Sequence, residues 1–162
     1  MTPIGALEAS GLGQAMRESL WLYPTVEIVH VVGIGLLFGS IAILDLRLLG
    51  FSRSIPVKRL ASHVLPWSAA AFLLIVPSGL MMFIAHASDF IANPVFAAKM
   101  CLIMVGGLNA ALFHVNVFPS VDVWDSEERR KLGPPPFARI SAAASLAVWI
   151  AVIACGRLLA YL

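Results

Sequence analysis

Residues 21–50 read WLYPTVEIVHVVGIGLLFGSIAILDLRLLG. So long an apolar run leaves one economical answer, a helix that crosses a bilayer with some tilt, because about 20 apolar residues already span the hydrocarbon core. Glu27 and His30 lie inside this run at spacing i, i+3, so both point to one face of the helix. Ionisable residues within a membrane helix are expensive and mark a functional site by default.

The rest of the chain has the same character. Of 162 residues, 60% are hydrophobic and 12% charged, and that charged share is about half the soluble norm. A soluble chain with this balance would expose large apolar patches. The net charge of +2 and the lack of a basic-aromatic run exclude nucleic acid as a partner and leave the lipid bilayer. Cys101 and Cys155 lie in apolar helices without a CxxC and read as packing residues. The N-terminus lacks the basic cluster, short apolar core and small-residue site of a cleavable signal.

The expected fold is all-α: an integral membrane four-helix bundle with a short N-terminal amphipathic interfacial helix, in one domain over 1–162. Residues 1–22 form the interfacial segment. Thr2-Pro3 starts it as a cap and first-turn proline, and Leu12, Met16 and Leu20 recur at i, i+4 on the face expected to meet lipid. Trp21 and Tyr23 anchor it at the interface. The spans fall at about 24–49, 57–86, 94–118 and 137–161. Pro66 and Pro77 should kink the second, and Asn93-Pro94 should cap the third. The longest loop, about 119–133, holds VDVWDSEERRKLG.

Lys and Arg set the orientation. Arg17, Lys99 and Arg157 fall on the side of the termini. Arg47, Arg53, Lys58, Arg59, Arg129, Arg130, Lys131 and Arg139 fall on the other. The positive-inside rule puts both termini outside the cytoplasm, which in a bacterial inner membrane means the periplasm. Gly33, Gly35, Gly39 and Ser40, Gly79, Gly106, Gly107, and the alanines of the other spans suit close helix packing in lipid, or a slot for a flat cofactor.

The polar residues fall into two layers. Glu27, His30, Lys99 and Arg157 share a depth of about 5–10 Å inside their helix ends, from the helical rise. They read either as a buried ion pair of Glu27 with Lys99 or Arg157, or as a pocket for a small anion, a metal or a proton. On the other side Asp45 and Arg47 should end the first span among the headgroups, with Arg47 snorkelling. His63 and His114 reach matched depth on antiparallel neighbouring spans, with Asn109 deeper. Two such histidines are how a helix bundle ligates b-type haem, and Gly107, Ala110 and Ala111 would make room for the porphyrin. His30 with His86 is a second, outer pair. No CxxCH is present, so haem would not be covalent.

The first span, with Leu65-Pro66-Trp67, NPVFAAKM from Asn93 to Met100 and GLNAALFH from Gly107 to His114, resembles a family of short bacterial inner-membrane proteins of unknown function. That resemblance covers most of the chain and implies no activity. A looser likeness, in helix count and inward histidines, is to the copper-resistance D and cytochrome b561-like membrane bundles, and it implies haem or copper as candidate cofactors. Three function classes follow. One is haem-linked electron transfer with a membrane redox partner. Another is binding or transport of a small molecule, proton or metal ion, in a homo-oligomer or with a transport partner. The third is a structural accessory subunit. No nucleophile elbow, phosphate loop or zinc-protease helix points to soluble catalysis.

Overall fold

The computed structural model describes residues 2–159 and residue 161. They form helices α1 (Pro3–Glu8), α2 (Gly11–Glu18), α3 (Leu22–Leu49), α4 (Val57–Ala85), α5 (Ala87–Ala92), α6 (Pro94–Asn116), α7 (Val121–Trp124) and α8 (Pro136–Leu158). Four stretches, Leu22–Leu49, Val57–Ala85, Pro94–Trp124 and Pro136–Leu158, are long and apolar enough to cross a membrane. The all-α four-helix bundle is as the sequence predicts. The last span was expected to reach 161, whereas α8 ends at Leu158, and residues 160 and 162 lie outside the described residues.

The long helices pack in the order α4, α3, α8, α6: α3 lies against both α4 and α8, and α8 against α6. The outermost pair, α4 and α6, do not pack along their lengths. They are tied at the ends instead. Phe83, Phe90 and Phe96 stack with ring centroids 5.3–6.3 Å apart where α4, α5 and α6 meet. At the other end Val57, Ala61 and Val64 share one apolar cluster with Leu44, Leu48, Phe113, Val117, Val121, Ala138 and Ala142.

The elements start and stop where their sequence dictates. The Thr2 hydroxyl accepts from Gly5 N, and the Asn93 carboxamide oxygen accepts from Val95 N at 2.9 Å, each satisfying a donor that a helix start leaves free. Gly50 ends α3 at φ 108°, a left-handed cap that glycine adopts without a Cβ penalty. Pro66 and Pro77 both lie inside the continuous α4.

Three local expectations need correction. The described residues of the interfacial segment form two short helices, Pro3–Glu8 and Gly11–Glu18, rather than one, because Ser10 caps a new start by accepting from Gly13 N. Met16, expected to face lipid, is 1% exposed and packs with Val26 and Ala85 at the end of the bundle. Leu12 and Leu20 do stay exposed. The α1–α2 hairpin is held there by Arg17, which donates to the Ala85 carbonyl at 2.8 Å, and by Glu8, which accepts from Ser88 N at 2.8 Å. Hydrogen bonds from the Ser88 hydroxyl and amide hold the Glu8 carboxyl below the usual carboxylate range. Second, the 119–133 loop is partly helical: a 3-10 turn at Phe118–Ser120 continues into α7, and another covers Arg130–Leu132. Third, Arg47 does not snorkel. It is 2% exposed and paired with Asp125 at 2.6 Å. Asp125, in the loop after α7, satisfies the guanidinium inside the protein in place of the headgroups.

Among the small residues, Gly33 makes the close approach. A Cβ there would sit 2.8 Å from Ile75 Cγ1 and 3.1 Å from Leu74 Cβ on α4. Gly106 plays the same part against Val148 and Trp149 of α8. Gly35, Gly39 and Gly107 face open space, so the GxxxG of α3 packs nothing within the chain.

Two outcomes follow from this packing. Asp125→Ala strands a buried guanidinium and should lower unfolding stability in mixed micelles by about 3–5 kcal/mol. Gly33→Ala forces α3 and α4 apart and should cost about 1–3 kcal/mol in the same measurement. Full stability in either variant would show that the contact does not hold the bundle.

Candidate functional site

Each packed pair of long helices carries one polar side chain bonded to a serine of its neighbour. Between α3 and α4 it is His30, whose Nδ1 lies 2.9 Å from Ser78 Oγ and 3.1 Å from the Ile75 carbonyl. The Ser78 hydroxyl donates to the Leu74 carbonyl. Both neighbours of Nδ1 therefore accept, so Nδ1 carries a ring proton. Gly79 makes this seat, since a Cβ there would be 3.1 Å from His30 Cε1. Between α6 and α8, Asn109 donates to the Ser141 carbonyl at 3.0 Å and accepts from the Ser141 hydroxyl at 3.1 Å. Between α3 and α8, the Asp45 carboxyl bonds the Ser145 side chain.

The predicted layer of Glu27, His30, Lys99 and Arg157 is only partly assembled. His30 lies within electrostatic reach of both Lys99 and Glu27. Lys99 is half-buried, with its amine beside Gly156 and Cys155 of α8. Among the described residues it makes no hydrogen bond or salt bridge. Glu27 is exposed and forms no ion pair there either. Arg157 turns away to the end of α8, where it donates to the Tyr161 hydroxyl and lies 4.8 Å from that ring's centroid. The expected ion pair of Glu27 with Lys99 or Arg157 is therefore not formed. Glu27 lies on the outer face of α3, and the aromatic rim holds Arg157.

The histidines expected to face one another on the other side are both exposed. His63 Nδ1 donates to the Arg59 carbonyl and His114 Nδ1 to the Ala110 carbonyl, each at 2.8 Å. His114 also packs against Phe113 and Phe118. No hydrogen bond or ring contact joins His63 to His114. Nor does one join His30 to His86, whose ring lies between Tyr23 and Asp89 at the break between α4 and α5. For haem, the tautomer suits: a carbonyl on Nδ1 leaves Nε2 free to ligate iron. The packing is less apt, because α4 and α6 are not neighbours along their lengths. Among the described residues no group of three or more His, Cys, Asp or Glu is placed to hold a metal ion.

Sequence reading placed Asp45 among the headgroups. It is 6% exposed, and its Oδ2 has no partner. The signal for this was in α8, where Ser141, Ala142 and Ser145 form a buried stripe of small and polar residues. Ser78 was missed as well, although it follows the helix-interior Pro77 directly.

No curated protein and no solved structure matches the chain. Residues 6–162 match the family described as Family of unknown function (DUF6644), and on that coverage the chain belongs to this family.

Proposed function

We propose that the protein binds and moves a small anion, with Lys99 holding the charge and His30 Nε2 taking a hydrogen bond or a proton. The observation that carries this is the ammonium of Lys99. It sits about 8 Å inside α6 by the helical rise, half-buried and without a hydrogen bond or salt bridge among the described residues. A cation at the centre of a membrane helix costs on the order of 2.5–3.5 kcal/mol, and less near the helix end. A bound anion offsets that cost, and Glu27 does not. His30 stands about 12 Å inside α3 by the same rise, held by α4 and turned with its free nitrogen off the serine. The excess of Lys and Arg at the opposite end of the bundle supports a non-cytoplasmic side for these two residues. Entry would then be from the periplasm of a bacterial inner membrane.

The test is binding of acetate, phosphate and chloride to the protein in mild detergent, by calorimetry. At least one should bind the wild type. Lys99→Gln should weaken it about tenfold, roughly 1.4 kcal/mol, with the fold unchanged by circular dichroism. Absence of binding to the wild type by all three, or equal affinity in Lys99→Gln, sinks the reading.

A second reading, b-type haem with His63 and His114 as ligands, is favoured by one observation: both residues are exposed, with Nδ1 fixed on a carbonyl. Haem would supply one-electron chemistry, and the chain would supply the two imidazoles and the small residues Ala110 and Ala111. Protein produced with haem available should then show a sharp dithionite-reduced b-type band that His63→Ala or His114→Ala removes. A flat spectrum excludes it.

A further inference from the structure

Asp45 lies at the other end of the bundle from Lys99 and His30 and has no part in either reading above. It belongs to the last two turns of α3, on the side that faces α8. It is 6% exposed. One carboxyl oxygen has no hydrogen-bond partner, and the Ser145 hydroxyl serves the group. Ser40 and Ser141, both 7% exposed, belong to the same two helices.

Among the described residues no salt bridge reaches it. Arg47, two residues on, is committed to Asp125 and to the Ile55 carbonyl. On α4, Lys58, Arg59 and His63 are exposed, and Lys58 pairs with Asp122. On α8, Arg139 is exposed. Arg17 and Glu18 of α2 sit at the opposite end of α3. None of these makes a hydrogen bond or salt bridge to the Asp45 carboxyl. The C-terminal end of α3 adds the negative pole of the helix dipole within about a turn. An ionised carboxylate with one bare oxygen, no counter-charge and a negative helix end does not fit this position. A carboxylic acid fits, because its O–H can use the serine oxygen, and an oxygen without a partner costs a neutral acid far less than a charged one.

We infer that Asp45, with Ser145 as its hydrogen-bond partner, is an exchangeable proton-binding site in the bundle. The proton moves between the carboxyl oxygen and water at the arginine-rich end. Asp45 stands about 6 Å from the end of α3 by the helical rise, so one short opening of the α3–α8 interface lets water reach it.

The experiment is infrared difference spectroscopy of the full chain in lipid bilayers across a pH series. The wild type should show the C=O stretch of a protonated carboxyl that disappears as pH rises. Asp45→Asn, neutral and nearly isosteric, should lose the band, and Ser145→Ala should keep it at a higher frequency. A wild-type spectrum that matches Asp45→Asn at every pH means a permanently ionised group and overturns the inference. So does a band that persists at every pH, which marks a fixed structural acid. Loss of the band on adding sodium chloride at constant pH identifies a sodium site instead and also overturns it. These outcomes are independent of whether Lys99 binds an anion.

Discussion

The ion pair between Arg47 and Asp125 is the contact on which the rest of the bundle depends. Arg47 also donates to the Ile55 carbonyl at 2.6 Å, and Asp125 accepts from the first amide of α4, Val57 N, at 2.6 Å. Arg130 adds a third charge, 3.4 Å from the same carboxylate. One carboxylate thereby fixes the end of α3, the start of α4 and the turn between α7 and α8. The large apolar cluster beneath it is assembled from all four spans. A pair this deeply buried contributes little net attraction against its desolvation, and its worth lies in position.

Lipid offers no partner to a polar group, so interfaces between helices must provide them. The chain meets this with one serine clasp in each of its three packed interfaces. Hydrogen bonds of this kind between membrane helices contribute about 0.6–2 kcal/mol each. Their larger effect is on register, because His30, Asp45 and Asn109 each have one serine within reach. Gly33 and Gly106 then let the backbones close around the clasps.

The architecture was legible in the sequence because hydropathy and length decide it. Spans, caps and the proline positions read directly from Pro24, Asn93-Pro94 and the apolar runs. The polar residues were less legible, since depth along a helix can be counted but azimuth cannot without neighbours. Lys99 and Arg157 have similar depth, yet one turns toward α8 and the other toward Tyr161. Asp45 and Arg47 looked like residues for the headgroups because they lie near a helix end. Packing toward α8 buries Asp45, and the loop after α7, bringing Asp125, buries Arg47. Histidines at matched depth on α4 and α6 were expected to be neighbours because their spans are consecutive. The packing order places α3 and α8 in the middle instead.

The distance in sequence between Arg47 and its carboxylate has a consequence for biogenesis. Asp125 lies 78 residues downstream, beyond the third span. While the first two spans are being inserted, that carboxylate has not yet been made and the pair cannot form. Formation of the pair therefore waits until the third span has arrived, and the bundle closes only then.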